Sequence, residues 1–343
     1  MSNITNKTTP TIEMLLSNDL GLIIFMEILG FITLVTNSVL AYLILSRRRL
    51  RAINHNSIIA SMCFGCIIFA IFYCLLFPFN IISKASVNIF CPLFGPFRNF
   101  CLVILNLHLC LVGIEKYLLI TYPLTVKLTR KTVLIIVTGI WISGFTISFL
   151  PIFTYRPYNP KIFNGCVRIA YNQINKEIAY FIIFQIIIFV VPLMIMLYCY
   201  GYISILAFRH IRNIDRNYYV SNEVNNDVRL RKKNIRAAKP FIVMVGTFLL
   251  TWLPTIIFNT MVLIIPSTIG QNNSFMRNFV ASLNTFNVQV LRSIAFSYCA
   301  VNPLIYGYFN PEIRRAFYLF LGCKAAAANI ANPTSYAYSI NQA

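Results

Sequence analysis

Apolar residues gather into seven long runs, separated by polar segments rich in Lys and Arg. The runs are 20–46, 57–83, 92–114, 132–154, 178–208, 240–266 and 278–311. Together they hold three charged side chains, Glu27, Arg98 and Arg292. A helix that crosses a bilayer needs roughly 17–25 mostly apolar residues, because hydrocarbon offers its backbone groups no other partners. Each run meets that length, so the pattern predicts seven membrane-spanning helices. No period of 20–50 residues repeats, and no pair of broken segments suggests the inverted halves of many transporters. The expected fold is all-α, a single seven-helix bundle over 20–307.

After Pro311 the pattern changes. Phe309, Ile313, Phe317, Phe320 and Leu321 fall near one face of a helix, with Glu312, Arg314 and Arg315 on the other. That spacing predicts a short amphipathic helix over 309–322, lying on the membrane rather than through it. A tail, 323–343, follows.

Composition agrees with a membrane protein. The chain has 343 residues, 58% of them hydrophobic and 11% charged, with a mean hydropathy of +0.71. A soluble chain carries about twice that share of charge. Basic residues orient it. With the N-terminus outside, 20 of the 29 Lys and Arg lie in the inner loops, the inner end of the third helix and the tail. The acceptor motifs at Asn3, Asn6 and Asn272 then all lie outside, where glycosylation occurs. Segment 1–19 is therefore expected to be an extracellular, glycosylated N-terminus. It is polar, so we expect no cleavable signal and a first helix that serves as its own signal-anchor. The location implied is the plasma membrane.

The net charge of +20 is then mostly this inside bias, attracted to anionic lipid, and not a nucleic-acid footprint. Seven of the ten cysteines lie in apolar runs, where they act as small hydrophobes. The three histidines, His55, His108 and His210, are scattered. No nucleophile–base or metal spacing involves them. We expect neither an enzyme nor a metal or cofactor site, and His108 reads as a hydrogen-bonded packing residue.

Landmarks recur along the runs. Asn37 lies in the first, Trp141 and Pro151 in the fourth, and Pro192 and Tyr200 in the fifth. Phe248, Trp252 and Pro254 mark the sixth, and Asn302, Pro303 and Tyr306 the seventh. Glu115-Lys116-Tyr117 closes the third run, before Tyr122-Pro123-Leu124. Over 37–317 this order and spacing resembles the rhodopsin-like (class A) G-protein-coupled receptors. The resemblance implies a receptor that binds an extracellular ligand and activates a heterotrimeric G protein on the cytoplasmic face. The activation switch it implies comprises Glu115, Lys116, Tyr117, Tyr200, Phe248, Trp252, Pro254, Asn302, Pro303 and Tyr306. It also implies a disulfide between Cys91 and Cys166, and palmitoylation of Cys323, for which an unmodified surface cysteine is the plain alternative. Asn164-Gly165 before Cys166 is a hairpin signal in the same outer loop.

The family's ligand site maps onto Arg98, Leu102, Trp252, Asn259 and Arg292. Aminergic receptors carry an aspartate where Arg98 stands, and no acid occurs from Cys91 to Ile114. No lysine from 278 to 311 could hold retinal, which argues against a light-driven pump. Two buried like charges are costly, and arginine grips carboxylates and phosphates in bidentate fashion. We therefore expect a ligand with an anionic group: a peptide, a small acid or a lipid. The bland alternative has Arg98 snorkelling outward or pairing with Glu27.

The chain also departs from the family. The second run has no acid to hold sodium; Gly65 or Phe69 stands there, and Leu105 replaces a third-helix hydroxyl. Agonist affinity should therefore not respond to Na⁺. Lys116 replaces an arginine and loses its planar fork, and Asn234 stands where relatives have an acid. A binding protein that does not signal is the rival function.

Overall fold

The computed structural model describes residues 12–76, 91–122, 128–154, 174–216, 242–258, 260 and 285–324. The first span is α1, Ile12–Ser46. A helical turn, Arg48–Arg51, leads to α2, Asn54–Phe69, which continues through a π turn at Ala70–Cys74. Next come α3, Cys91–Thr121, and α4, Arg130–Thr154. The fifth span, α5, runs Ile174–Gln185, passes a π turn at Ile186–Val190, and continues over Val191–Arg216. Then follow α6, Ile242–Phe258, α7, Thr285–Phe309, and α8, Pro311–Phe320. Among the described residues, five helices are long and apolar enough to cross a membrane, and α6 is a shorter apolar helix.

The bundle is built around α3. In its most apolar stretch 72% of residues are buried, against 28% in α4 and 22% in α5. Around the rim, Phe31, Ile135, Phe153 and Leu250 point outward. Such an apolar exterior suits lipid, where water would penalise it.

Several boundaries differ from the apolar runs. The third helix continues seven residues past Ile114, so Glu115-Lys116-Tyr117 lies inside it rather than closing it. The second begins at Asn54 and takes in His55 and Asn56. Polarity interrupts an apolar run but not a backbone ladder, which is why helices outlast their hydrophobic stretches. Phe309 ends α7 and does not join α8, because Asn310 is extended and caps the new helix. Its side chain accepts from the backbone N–H of Glu312 at 3.1 Å and Ile313 at 3.3 Å, with Pro311 in the first turn.

Proline leaves the carbonyl four residues earlier without its helical donor. Three times a side chain from another helix fills the gap. Behind Pro151, the Tyr180 hydroxyl donates to the Ile147 carbonyl at 3.0 Å. Behind Pro192, Asn106 Nδ2 donates to the Ile188 carbonyl inside the α5 π turn. Behind Pro303, Asn37 Nδ2 donates to the Cys299 carbonyl at 2.9 Å. These bonds tie α5 to α4, α3 to α5, and α1 to α7. A fourth tie is histidine-centred. His108 Nδ1 donates to the Ile104 carbonyl at 2.7 Å, and its Nε2 accepts from Ser61, which in turn accepts from the Trp141 indole.

Candidate functional site

Two polar regions occupy opposite halves of the bundle. The first is a cavity of about 270 Å³ bordered by α3, α4, α5, α6 and α7. Arg98, Leu102, Trp252 and Arg292 all line it. Asn259 lies outside the described residues, as do Cys166, the side chain of Cys91, Asn234, and Asn3, Asn6 and Asn272.

Arg98 and Arg292 are near enough to repel one another, and both act on the buried hydroxyl of Tyr73 from α2. No carboxylate lines the cavity among the described residues. Glu27 forms no salt bridge with Arg98 in that set either. The described cavity wall therefore carries two guanidinium groups and no carboxylate. Ser148, Gln185 and Trp252 also line it, and Ser148 Oγ, Gln185 Oε1 and Trp252 Nε1 are each buried without a hydrogen-bond partner.

Below the cavity an aromatic column descends. The Trp252 ring stacks on Phe248 with centroids 6.0 Å apart, and Phe248 meets the edge of Tyr298 at 5.3 Å. The Tyr298 hydroxyl donates to Asn302 Oδ1 at 3.3 Å, and Asn302 Nδ2 reaches Met62 Sδ at 3.7 Å. A disturbance at Trp252 thus has a packed route to Asn302 on α7.

At the level where relatives hold sodium, the space is filled. A Cβ on Gly65 would lie 2.4 Å from the Ile104 Cγ2 methyl. Nearby, the buried thiols of Cys101 and Cys299 are 3.6 Å apart, and Leu105 is fully buried. An acid at position 65 has no room unless the Ile104 side chain shifts.

The second polar region lies around Lys116. Its Nζ donates to His55 Nδ1 at 2.8 Å and pairs with Glu115 Oε2 at 3.5 Å. Glu115 Oε1 lies 3.6 Å from His55 Nδ1. An ammonium has no acceptor, so Nδ1 must carry the lone pair, which assigns the Nε2–H tautomer to a neutral His55. The adjacent residue, Asn56, accepts from the Tyr306 hydroxyl, which itself accepts from Asn310 at 3.0 Å. One turn of α2 therefore holds the key side chains of both α3 and α7. Tyr200 is buried near this level, its ring 3.1 Å from where a Cβ on Gly113 would sit. Tyr117 faces Tyr198 instead, with hydroxyls 3.5 Å apart. Cys323 is exposed just beyond α8.

The sequence assigned no role to His55 and did not point to Asn56, Tyr73, Tyr180 or Asn106. The proline positions could have pointed to the need for caps, though not to which side chains supply them.

Comparison with known proteins places this arrangement. The sequence pattern described as "7 transmembrane receptor (rhodopsin family)" matches residues 36–306. The D(1) dopamine receptor of Carassius auratus is 26% identical over 88% of this chain and 87% of its own length. The octopamine receptor beta-2R of Chilo suppressalis is 25% identical, covering 88% and 78%. The RYamide receptor of Tribolium castaneum is 22% identical, covering 84% and 77%. Among solved structures, squid rhodopsin has the same fold, with a TM-score of 0.71 at 19% identity over 94% of this chain and 89% of that one. This chain belongs to the rhodopsin family of 7 transmembrane receptors: it is a multi-pass plasma-membrane protein of G-protein-coupled signalling, not an enzyme.

Proposed function

We propose that the cavity faces the cell exterior and binds a ligand through an anionic group held between Arg98 and Arg292. The carrying observation is the convergence of two guanidinium groups on one cavity that has no described carboxylate. Moving two cations out of water costs several kcal/mol each, and an anion between them offsets both penalties. Bidentate contact adds directional strength.

The names of the dopamine and octopamine receptors point to amines. Here an ammonium group would meet two positive charges, so the likeness carries the receptor class and not the ligand. Binding presses on Trp252, and the column through Phe248, Tyr298 and Asn302 carries the change toward Tyr306. Pro254 and Pro303 supply flexible points in α6 and α7. The G protein docks on the face that holds Glu115, Lys116 and Tyr117, beside Tyr200.

The test is G-protein activation by a panel of acidic peptides, small acids and lipids. Arg98→Ala and Arg292→Ala should each lower the potency of an acidic agonist. Unchanged potency in both ends the reading.

A second reading, a receptor that binds without signalling, is favoured by one observation. Lys116 is only 3% exposed and is engaged by both Glu115 and His55. A silent wild type whose Lys116→Arg variant signals would select it. Signal in both would select the coupled receptor.

A further inference from the structure

The orphaned polar atoms of the cavity define the other end of its ligand. We propose that the cavity takes a small aryl carboxylate with a ring hydroxyl remote from the acid. This rests on the reading above, in which Arg98 and Arg292 hold the carboxylate.

Size comes first. An apolar cavity of about 150 Å³ accommodates one benzene ring. At about 270 Å³, this one has room for a ring with two short polar arms. The wall includes the rings of Tyr180, Phe181, Phe184 and Phe296, which suits a flat aromatic body.

The unmet hydrogen bonds then fix the second substituent. Ser148 on α4 is 1% exposed and Trp252 on α6 is 3% exposed, and neither Ser148 Oγ nor Trp252 Nε1 has a partner. Gln185 Oε1 on α5 is unpartnered as well. None of the three helices carries either arginine. A buried unmet polar group is costly and calls for a partner. The indole N–H needs an acceptor, and the amide oxygen needs a donor. A hydroxyl both accepts and donates, so it suits either group. An ether, a halogen or a second carboxylate suits at most one.

This chemistry has two sources, a free hydroxyaryl acid or the C-terminal tyrosine of a peptide. Four probes separate the cases on the full-length receptor in lipid nanodiscs: 3-(4-hydroxyphenyl)propanoate, 3-phenylpropanoate, the methyl ester of the hydroxy acid, and an acetylated tripeptide ending in tyrosine with a free carboxylate. Affinity is read by displacement or thermal shift. The hydroxy acid should bind about tenfold tighter than the deoxy acid, the value of one well-placed hydrogen bond. Ser148→Ala combined with Gln185→Leu should cut that advantage to what the Trp252 indole alone supplies and leave the deoxy acid's affinity in place. Tighter binding of the tripeptide assigns the group to a peptide terminus, and tighter binding of the free acid assigns it to a small metabolite. Both support the same site.

Equal binding of the two acids, a hydroxyl advantage undiminished in the double variant, or no binding by any aryl acid overturns the inference. Equal binding of the acids that is lost in Arg98→Ala leaves the anion reading intact. Binding of the ester as strong as that of its acid overturns the anion reading itself.

Discussion

The two polar regions of the bundle solve the problem of buried charge in opposite ways. Around Lys116, one base, one acid and one imidazole lie in mutual contact within 3.6 Å. Around Arg98 and Arg292, two bases share a cavity with no described acid. A balanced cluster needs nothing from outside and holds one conformation. Under the proposed reading, an anion between the two bases offsets the cost of burying them.

The largest effect on ligand response should come from removing the two bases. In the Arg98→Ala, Arg292→Ala double variant, acidic-agonist potency should fall by about 100-fold. Two charge-assisted hydrogen bonds at roughly 1.5–3 kcal/mol each imply at least that loss. The same variant, with no ligand, should melt no lower than wild type, because a repulsive pair is gone.

Next comes the balanced cluster. Glu115→Gln leaves the Lys116 ammonium without its buried counter-charge, a break that costs about 3–5 kcal/mol in comparable pairs. Thermal melting of the purified receptor should show a fall of that order. His55→Ala keeps the ion pair and loses one hydrogen bond, so a smaller loss of about 1–2 kcal/mol is expected, together with raised basal signalling. If Glu115→Gln and His55→Ala melt alike at the wild-type temperature, the cluster is not a lock.

Smaller still is the effect of the proline caps. Asn106→Leu strips the Ile188 carbonyl of its donor behind Pro192, and Asn37→Leu does the same for Cys299 behind Pro303. Each should cost about 1–3 kcal/mol, the usual penalty for a buried acceptor left bare. In α6, by contrast, no described side chain donates to the Leu250 carbonyl behind Pro254. Replacing neighbouring Thr251, which bonds within its own helix to Thr247 and Phe248, should change stability little.

The smallest expected response is to sodium. Agonist affinity should follow ionic strength alone, with Na⁺ and a bulky control cation giving superimposable titrations. Gly65→Asp should fail to install sodium sensitivity and should destabilise the receptor, since Ile104 occupies the space.

Much of the architecture was legible in the chain. The apolar runs located the spans, and their prolines marked where helices would lose a backbone bond. Arg98 and Arg292 stood out because charge is rare in such runs. Partners across helices were not legible. His55 and Lys116 are 61 residues apart, Asn106 and Ile188 are 82 apart, and Asn37 and Cys299 are 262 apart. Such pairs depend on the rotation of each helix about its axis, which an apolar stretch leaves open. His55 was further hidden because it precedes the second apolar run, although it lies inside the helix. Gly65 in the sequence showed only a missing acid. The structure adds that Ile104 leaves no space for one.

The central claim is that charge imbalance around Arg98 and Arg292 selects the ligand. It is tested most directly by G-protein activation, comparing the most potent acid from the panel with its neutral methyl ester, on wild type and on the double alanine variant. The account predicts a strong response to the acid on wild type, little response to the ester, and about a 100-fold rightward shift for the acid on the variant. Equal potency of acid and ester on wild type, or an unshifted acid curve on the variant, would contradict it.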